Sequence, residues 1–183
     1  GVTEGLDIYG RIVNSNGTFA TSELIIAQSV NDDTKPHIAC NGSNFLIVWH
    51  QETSIFTGDV YAKLYTSAGT EASPVVQVNQ DAGNAYYSIN LCSSGSDFIA
   101  IWADDHESSY DYKLYGQKIN AAGALAGSAF VITDNVLYTS GVEILATPYE
   151  ILAIWTSRDN STDIDGRFFD FDGTPVSDEF KIN

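Results

Sequence analysis

Asn44-Phe-Leu-Ile-Val-Trp49 is an apolar run closed by tryptophan, and it recurs as Asp97-Phe-Ile-Ala-Ile-Trp102 and as Glu150-Ile-Leu-Ala-Ile-Trp155. The chain has 183 residues and three tryptophans, and these stand 53 residues apart. Self-similarity at a fixed period indicates a repeat architecture. Runs that are apolar at successive positions are typical of inner strands buried on both faces. We therefore predict that each run is the second strand of a repeating unit.

A second pattern supplies the other strands of the unit. A strand and a turn glycine occur four times, ending at Gly17, Gly69, Gly123 and Gly173. Each glycine precedes a further short strand, and another short strand precedes each tryptophan run, at 37–40, 89–92 and 143–146. Glycine at these positions supplies the positive φ that tight hairpin turns require. One unit is thus predicted to hold four strands, the glycine-turn strands being the third and fourth.

The period and the strand count together predict the fold class. Four antiparallel strands in about 52 residues are the arithmetic of a β-propeller blade. We expect an all-β single repeat domain over 1–183, built of repeated four-stranded antiparallel meanders and amounting to about three and a half blades. The predicted units are a half blade at 1–30 and blades at 31–80, 81–134 and 135–183. A two-sheet β-sandwich is the alternative.

The repeat also resembles a known class of sequences. Asp-hydrophobic-Tyr-Gly, a turn glycine and a terminal hydrophobic-Asn alternate with the tryptophan strand, and Leu114-Tyr-Gly-Gln-Lys-Ile119 matches best. Ala62 replaces the glycine in the second copy, and Ile164-Asp165 departs at the tyrosine position of the last. The pattern resembles propeller-like repeats of large secreted or surface proteins of bacteria and archaea. The resemblance implies an extracellular repeat module.

Charge and composition limit the classes of binding partner that we expect. With 24 acidic and 8 basic residues, the net charge is −16, which disfavours nucleic acids and anionic lipids. The longest apolar runs are far shorter than a membrane span, so we expect no membrane insertion. The chain begins at Gly1 and contains no Met, which indicates a processed mature chain or an excised piece. Both suit a secreted or cell-surface location.

Catalytic and metal signals are weak. Acidic residues follow the second tryptophan strand at Asp104, Asp105, Glu107 and Asp111, where carboxylates are able to converge on calcium. A solvated acidic loop is the favoured explanation of these residues, so we expect no cofactor, with calcium as the alternative. Carboxylate pairs are inevitable in so acidic a chain, and no nucleophile sits in a strained Gly-x-Ser-x-Gly turn. We therefore expect a protein that is not an enzyme.

Two features of the sequence indicate a connection with sugars: glycosylation sequons and candidate sugar-binding tyrosines. Asn16, Asn41 and Asn160 begin N-glycosylation sequons in predicted turns or loops. Exposed aromatic side chains with nearby Asp and Asn are also the materials of a lectin site, and the tyrosines that fit this pattern are Tyr86, Tyr87, Tyr110, Tyr112 and Tyr138. Packing of the outer strands is the alternative role for these tyrosines.

The two cysteines end similar short strands in successive repeats. Cys40 and Cys92 end similar tetrapeptides, His37-Ile-Ala-Cys40 and Ile89-Asn-Leu-Cys92. We expect them to occupy equivalent positions as buried free thiols. A disulfide is the alternative, which requires their Cα atoms to approach within about 7 Å.

The incomplete first unit predicts the function. It supplies the third and fourth strands of a blade without an inner pair, so its edge is open to strand addition. The residues expected at this edge are Asp7, Ile8, Tyr9, Arg11, Ile12, Leu24, Ile25 and Ile26. We predict a non-enzymatic extracellular structural module that assembles with itself head to tail as a filament. A closed dimer is the alternative assembly, and a carbohydrate-binding lectin or adhesin domain is the alternative function.

Overall fold

The computed structural model describes residues 5–54, 57–80, 85–104, 112–136, 141–158 and 162–183. Every regular element within these ranges is a β-strand. The fourteen strands are β1 (Ile8–Gly10), β2 (Leu24–Ala27), β3 (Asp32–Cys40), β4 (Asn44–Ser54), β5 (Thr57–Thr66), β6 (Val76–Gln77), β7 (Ala85–Ser94), β8 (Asp97–Asp104), β9 (Tyr112–Ile119), β10 (Leu125–Val136), β11 (Val142–Ala146), β12 (Ile151–Arg158), β13 (Thr162–Phe169) and β14 (Phe180–Lys181).

The strands form one half blade and three blades. β1 and β2 pair as a two-stranded sheet, the half blade, while blade 1 (β3–β6), blade 2 (β7–β10) and blade 3 (β11–β14) are antiparallel meanders in sequence order. Trp49, Trp102 and Trp155 lie on the second strands β4, β8 and β12, as predicted. The predicted all-β fold of repeated four-stranded meanders is confirmed, and the strands are not divided between the two sheets of a sandwich.

Turn glycines close the third and fourth strands in the same way in every unit. Gly17, Gly69, Gly123 and Gly173 have φ between 80° and 86°. Each glycine N–H donates to the carbonyl three residues earlier, as Gly173 does to Asp170 at 3.1 Å. The Asp170 carboxylate accepts backbone N–H groups of Asp172 and Thr174. The hydrogen bonds, that from Thr174 first, lower the pKa of Asp170, so this carboxylate caps a turn.

The blades pack face to face in sequence order. Each blade has a leading face toward the preceding unit and a trailing face toward the following one. The trailing face of blade 1, with Leu46 and Val48, packs against the leading face of blade 2, with Leu91 and Trp102. The same contact joins blade 2 to blade 3, and the half blade covers part of the leading face of blade 1. One interface is therefore used three times.

Equivalent residues of the first strands converge where a propeller has its axis. β7 packs between β3 and β11. His37, Asn90 and Glu143 stand opposite Val48, Ile101 and Ile154, which are themselves 53 residues apart. Asn90 Nδ2 donates to Glu143 Oε2 at 2.8 Å. Burial lowers the pKa of His37, and the Glu143 carboxylate opposes that shift. The three blades thus radiate from one line, as in a propeller.

Two details differ from the sequence-based expectation. The half-blade strands are only three and four residues long, so Asp7, Arg11 and Ile12, which were expected at the open edge, lie outside β1. β10 ends at Val136, so blade 2 extends two residues past the predicted boundary at 134. No helix long and apolar enough to cross a bilayer occurs in the portion of the chain that the structure describes.

Candidate functional site

The predicted acidic site is described only in part. Asp105, Glu107 and Asp111 lie outside the described residues. Asp104 ends β8, opposite Lys113, and its side chain is buried. Within the ranges given above, no three His, Cys, Asp or Glu side chains converge in a way that suits a metal ion. A calcium site at these four residues therefore stays a prediction.

The prediction that Cys40 and Cys92 occupy equivalent positions is wrong by one residue. Cys40 stands opposite Phe45, four residues before Trp49, whereas Cys92 stands opposite Ile99, three residues before Trp102. Because side chains alternate between the faces of a strand, a one-residue slip places the two on opposite faces. Both are free thiols in the structure, Cys40 exposed and Cys92 buried. Burial raises the pKa of Cys92 to about 12. The expectation of two buried thiols thus holds only for Cys92.

Two of the sequon asparagines lie in described turns. Asn16 is exposed, and its side-chain oxygen accepts the N–H and the hydroxyl of Thr18. Asn41 Nδ2, the atom that would carry a glycan, donates to Ser96 O of blade 2 at 2.6 Å. A glycan on Asn41 Nδ2 would have to fit beside this close contact with blade 2, so Asn16 is better placed to carry a sugar. Asn160 lies outside the described residues.

The half-blade residues predicted for assembly divide into two groups. Ile8 and Ile26 are buried against blade 1, with Leu24 partly buried beside them. Tyr9, Ile25 and Arg11 are exposed and Ile12 is half-buried. Asp7 accepts hydrogen bonds from Tyr9 and Gln28, and the Arg11 guanidinium lies 4.4 Å from the centre of the Phe19 ring. Among the residues that the structure describes, β1 pairs with β2 alone.

Both ends of the blade series present uncovered apolar surface. On the leading face of blade 1, Ile38 is 62% exposed, while its equivalent in blade 2, Leu91, is 7% exposed. On the trailing face of blade 3, Leu145 is 66% exposed, while its equivalent Cys92 is 7% exposed. Leu152 and Ile154 continue this trailing face and are half-buried. Apolar surface is thus uncovered on the trailing face of blade 3 and, around Ile38, on the part of the leading face of blade 1 that the half blade does not cover.

A pair of clefts lies between successive units, each against a leading face. The Trp49 cleft, about 440 Å³, lies between the half blade and blade 1, and Asp33, Gln51 and Tyr61 are among its lining residues. The Trp102 cleft, about 300 Å³, lies between the end of blade 1 and blade 2, and its wall includes Asp104, Tyr115 and Gln117. The tryptophan and tyrosine rings stack in both, with centroids 6.0 Å apart for Trp49–Tyr61 and 5.8 Å for Trp102–Tyr115.

The acidic residue of each cleft comes from a different strand. In the Trp49 cleft it is Asp33 of β3, which stands opposite Gln51. Asp33 Oδ1 accepts Trp49 Nε1–H at 3.1 Å and Gln51 Nε2–H at 2.9 Å. In the Trp102 cleft the residue opposite Asp104 is Ala85. The carboxylate has therefore moved from the first strand to the second between the two repeats.

The lectin tyrosines predicted from sequence are not those of the clefts. Tyr110 and Tyr138 lie outside the described residues, as do the side chains of Tyr86 and Tyr87, and Tyr112 is half-buried on β9. Tyr61 and Tyr115, which do line clefts, were not among the tyrosines predicted from sequence. Their signal was present in the sequence, since each precedes the turn glycine by eight residues in a repeated strand that follows a tryptophan run.

Comparison with known proteins leaves the function to this geometry. No protein-family model matches the chain, and no curated protein matches it. Among solved structures, it is similar to a subtype N10 neuraminidase-like protein of A/little yellow-shouldered bat/Guatemala/060/2010, with a TM-score of 0.49 and 8% identity. That match covers 84% of this chain and 45% of the other. The chain spans less than half of that protein.

Proposed function

We propose that the chain is a non-enzymatic structural module of an extracellular surface layer or filament, which joins further copies of itself head to tail. The observation that carries the proposal is the uncovered pair of faces marked by Ile38 and Leu145. They belong to opposite sides of the interface that joins the blades inside the chain. Large apolar surfaces without a cover commonly mark protein–protein contacts.

The two faces differ in their residues, which determines the kind of assembly. A contact between unlike surfaces is heterologous, and it propagates as a filament unless its rotation closes a ring. Tyr9 and Ile25 of the half blade add exposed apolar side chains near the leading end. Strand addition at β1, which pairs with β2 alone among the described residues, is a further mode of contact between copies. A head-to-tail filament is therefore favoured over a closed dimer.

The non-enzymatic part of the proposal rests on how polar side chains are used. Arg11 and Arg167 occupy equivalent repeat positions and pack over the rings of Phe19 and Phe169. Arg167 also donates to Ser177 O at 3.1 Å. Arg167 donates in addition to Ile132 O of blade 2 at 3.4 Å, so both guanidinium groups are engaged in packing. Asp33 holds Trp49 and Gln51 in place through hydrogen bonds.

Two single substitutions test the assembly. Leu145→Glu places a charge on the trailing face, and Ile38→Glu does so on the leading face; both residues are exposed, so the monomer remains folded. In sedimentation velocity, the unmodified chain is expected to form a concentration-dependent series of species. Each variant should associate at least about tenfold more weakly. Tyr149→Ser is the matched control, since Tyr149 is exposed in the turn between β11 and β12.

Mixing the two variants distinguishes a head-to-tail contact from other assemblies. The Leu145→Glu chain keeps its leading face and the Ile38→Glu chain keeps its trailing face. An equimolar mixture should therefore form a dimer of the two variants, and the dimer should be its largest species. An unmodified chain that stays monomeric at high concentration contradicts the proposal, as does assembly that neither substitution weakens.

A further inference from the structure

The outer pair of a blade, its third and fourth strands, packs on the following blade through a repeated set of residues. In every unit an apolar residue stands nine positions before the turn glycine, and another stands nine positions after it. These residues are Ile8 and Ile26, Val60 and Val78, Leu114 and Ile132, and Ile164 and Ile182. The first three pairs are buried against the following blade, whereas Ile164 and Ile182 of blade 3 are 37% and 51% exposed. The half blade and blade 3 thus carry the same packing residues, and only those of the half blade are covered.

The turn glycines show that the half blade packs on blade 1 in the register that the full blades use. A Cβ added at Gly123 of blade 2 would lie 2.7 Å from the Ser73 side chain of blade 1. A Cβ added at Gly69 of blade 1 would lie 3.2 Å from the Thr21 side chain of the half blade. Thr21 and Ser73 are equivalent, since each stands four residues after the turn glycine of its own unit. The half blade therefore occupies the place that the outer pair of a preceding blade would take.

The cover that blade 1 lacks is the inner pair of a preceding blade, its first and second strands. Ile38, Leu91 and Ile144 occupy equivalent positions on the first strands, 53 residues apart. The preceding inner pair buries Leu91 and Ile144, while Ile38 is largely exposed. Farther out on the same face, Trp49 lies under the half blade and is as buried as Trp102 of blade 2. The half blade thus covers the outer part of the leading face and leaves the inner part open.

Blade 3 of a second copy offers both parts of this cover, but it competes with the half blade. Its inner pair carries Leu145 and Ile154, and its outer pair carries Ile164 and Ile182, all on the face that no blade covers. Packing through these residues in the internal register would bring β13 and β14 to the place of β1 and β2. Packed sheets stand about 10 Å apart, so two sheets do not fit in a place made for one. A second copy that covers Ile38 in this way must displace the half blade.

A small contact holds the half blade in place. β1 and β2 are three and four residues long. Leu6 donates its N–H to Asp32 Oδ1 at 2.8 Å, and its carbonyl accepts the N–H of Asp33 at 2.7 Å. Ile8 and Ile26 provide the buried apolar contact. Elements with few buried contacts open locally while the rest of a protein stays folded.

We propose that the half blade is an autoinhibitory cap, which occupies the surface that binds blade 3 of a second copy and leaves it when copies join. The inference rests on the proposed function and adds its regulation. The exchange uncovers Ile8 and Ile26. It buries Ile38 together with the whole trailing face of blade 3, so the assembled state gains buried apolar surface. Assembly is therefore favourable once the half blade has opened, and the closed half blade limits it.

Loosening the half blade tests the cap, because only the open chain binds a second copy and association follows the open fraction. Ile26→Ser removes a buried contact with blade 1 and should strengthen self-association at least about tenfold in sedimentation velocity. Ile25→Ser is the matched control, since Ile25 is exposed on the other face of the same strand, and it should not strengthen association. Adding Leu145→Glu to Ile26→Ser should abolish the gain, which separates specific assembly from aggregation of a loosened chain.

Thiol labelling gives an independent measurement of the displacement. Ile26→Cys places a thiol under the closed half blade, and Cys40→Ser removes the exposed thiol of the unmodified chain. Iodoacetamide labelling of this double variant, followed by mass spectrometry, should rise with protein concentration, because assembly releases the half blade. Labelling that stays constant or falls as the chain associates overturns the cap.

Failure of the cap and failure of the proposed function give different results. Association of the unmodified chain that Ile26→Ser weakens or leaves unchanged overturns the cap and leaves the proposed function standing. No association by either chain overturns both.

Discussion

Blades 2 and 3 carry the same repeat but differ in what covers them. Ile99 and Ile101 of blade 2 are fully buried against blade 3, while their equivalents Leu152 and Ile154 are half-buried on a face that no blade covers. The apolar pattern is the same in both blades. The trailing face of blade 3 keeps this apolar pattern although no blade covers it. Such a face is suited to packing against a further blade. The comparison therefore supports the assembly proposed above, and three experiments probe the difference between covered and uncovered surfaces.

The largest expected difference is in stability. Ile101→Ala removes a side chain enclosed between two blades and should lower the free energy of unfolding by about 2–5 kcal/mol. Ile154→Ala removes a half-exposed side chain and should cost about 1 kcal/mol when the chain is monomeric. Urea denaturation at low concentration measures both. Equal losses would mean that the trailing face of blade 3 is covered in solution even in the monomer.

A smaller difference is expected at the glycine of the third strand. Gly116 stands opposite Phe130, and a Cβ added at Gly116 would lie 2.4 Å from that ring. The equivalent Gly166 stands opposite Phe180, with a Cβ distance of 3.1 Å. Overpacking in a closed interior costs about 1–3 kcal/mol, so Gly116→Ala should destabilise by that amount. Gly166→Ala should cost less, because Phe180 lies on the uncovered face.

Blade 1 provides the control for the glycine prediction. There the pair is Ala62 opposite Val76, so a methyl group is accommodated when the residue across the strand is smaller. Adding Phe130→Val to Gly116→Ala should therefore cost less than the sum of the two single changes. A strictly additive double variant, measured by the same denaturation, would refute the proposed clash.

The smallest perturbation is chemical labelling of the cysteines. Cys40 is exposed, while burial raises the pKa of Cys92 to about 12 and keeps it a thiol at pH 8. Since the thiolate is the nucleophile, iodoacetamide should add one group per folded chain, and Cys40→Ser should abolish labelling. Mass spectrometry measures both. Two groups on the folded chain would show that blades 2 and 3 separate readily, because Cys92 lies between them.

Much of the fold was predictable because its signals are local and repeated. The tryptophan runs mark the second strands, since only a strand buried on both faces is apolar at successive positions. The prediction that the two cysteines are equivalent failed because they stand 52 residues apart. The β-pairing keeps the 53-residue spacing of the tryptophans. A slip of one residue is small in sequence and reverses the face of a strand.

The clefts were not predictable for a different reason. Asp33 and Asp104 serve repeat-related clefts from non-equivalent positions, so no periodic signal joins them. The sequence alone also does not explain why Ala62 replaces the glycine of the other repeats. In the structure Val76 stands opposite Ala62, and this smaller residue leaves room for its methyl group. Such exchanges between paired strands preserve volume or charge in space, and they are visible only once the register is known.

The outer rim of the molecule limits how copies are able to meet. β6 and β14 are the outermost strands of their blades and are two residues long, while the long β10 has three interruptions of its register. Short or bulged edge strands offer few backbone groups for lateral pairing. Sideways aggregation into broad sheets is thereby discouraged, which favours the proposed growth along the direction in which the blades follow one another.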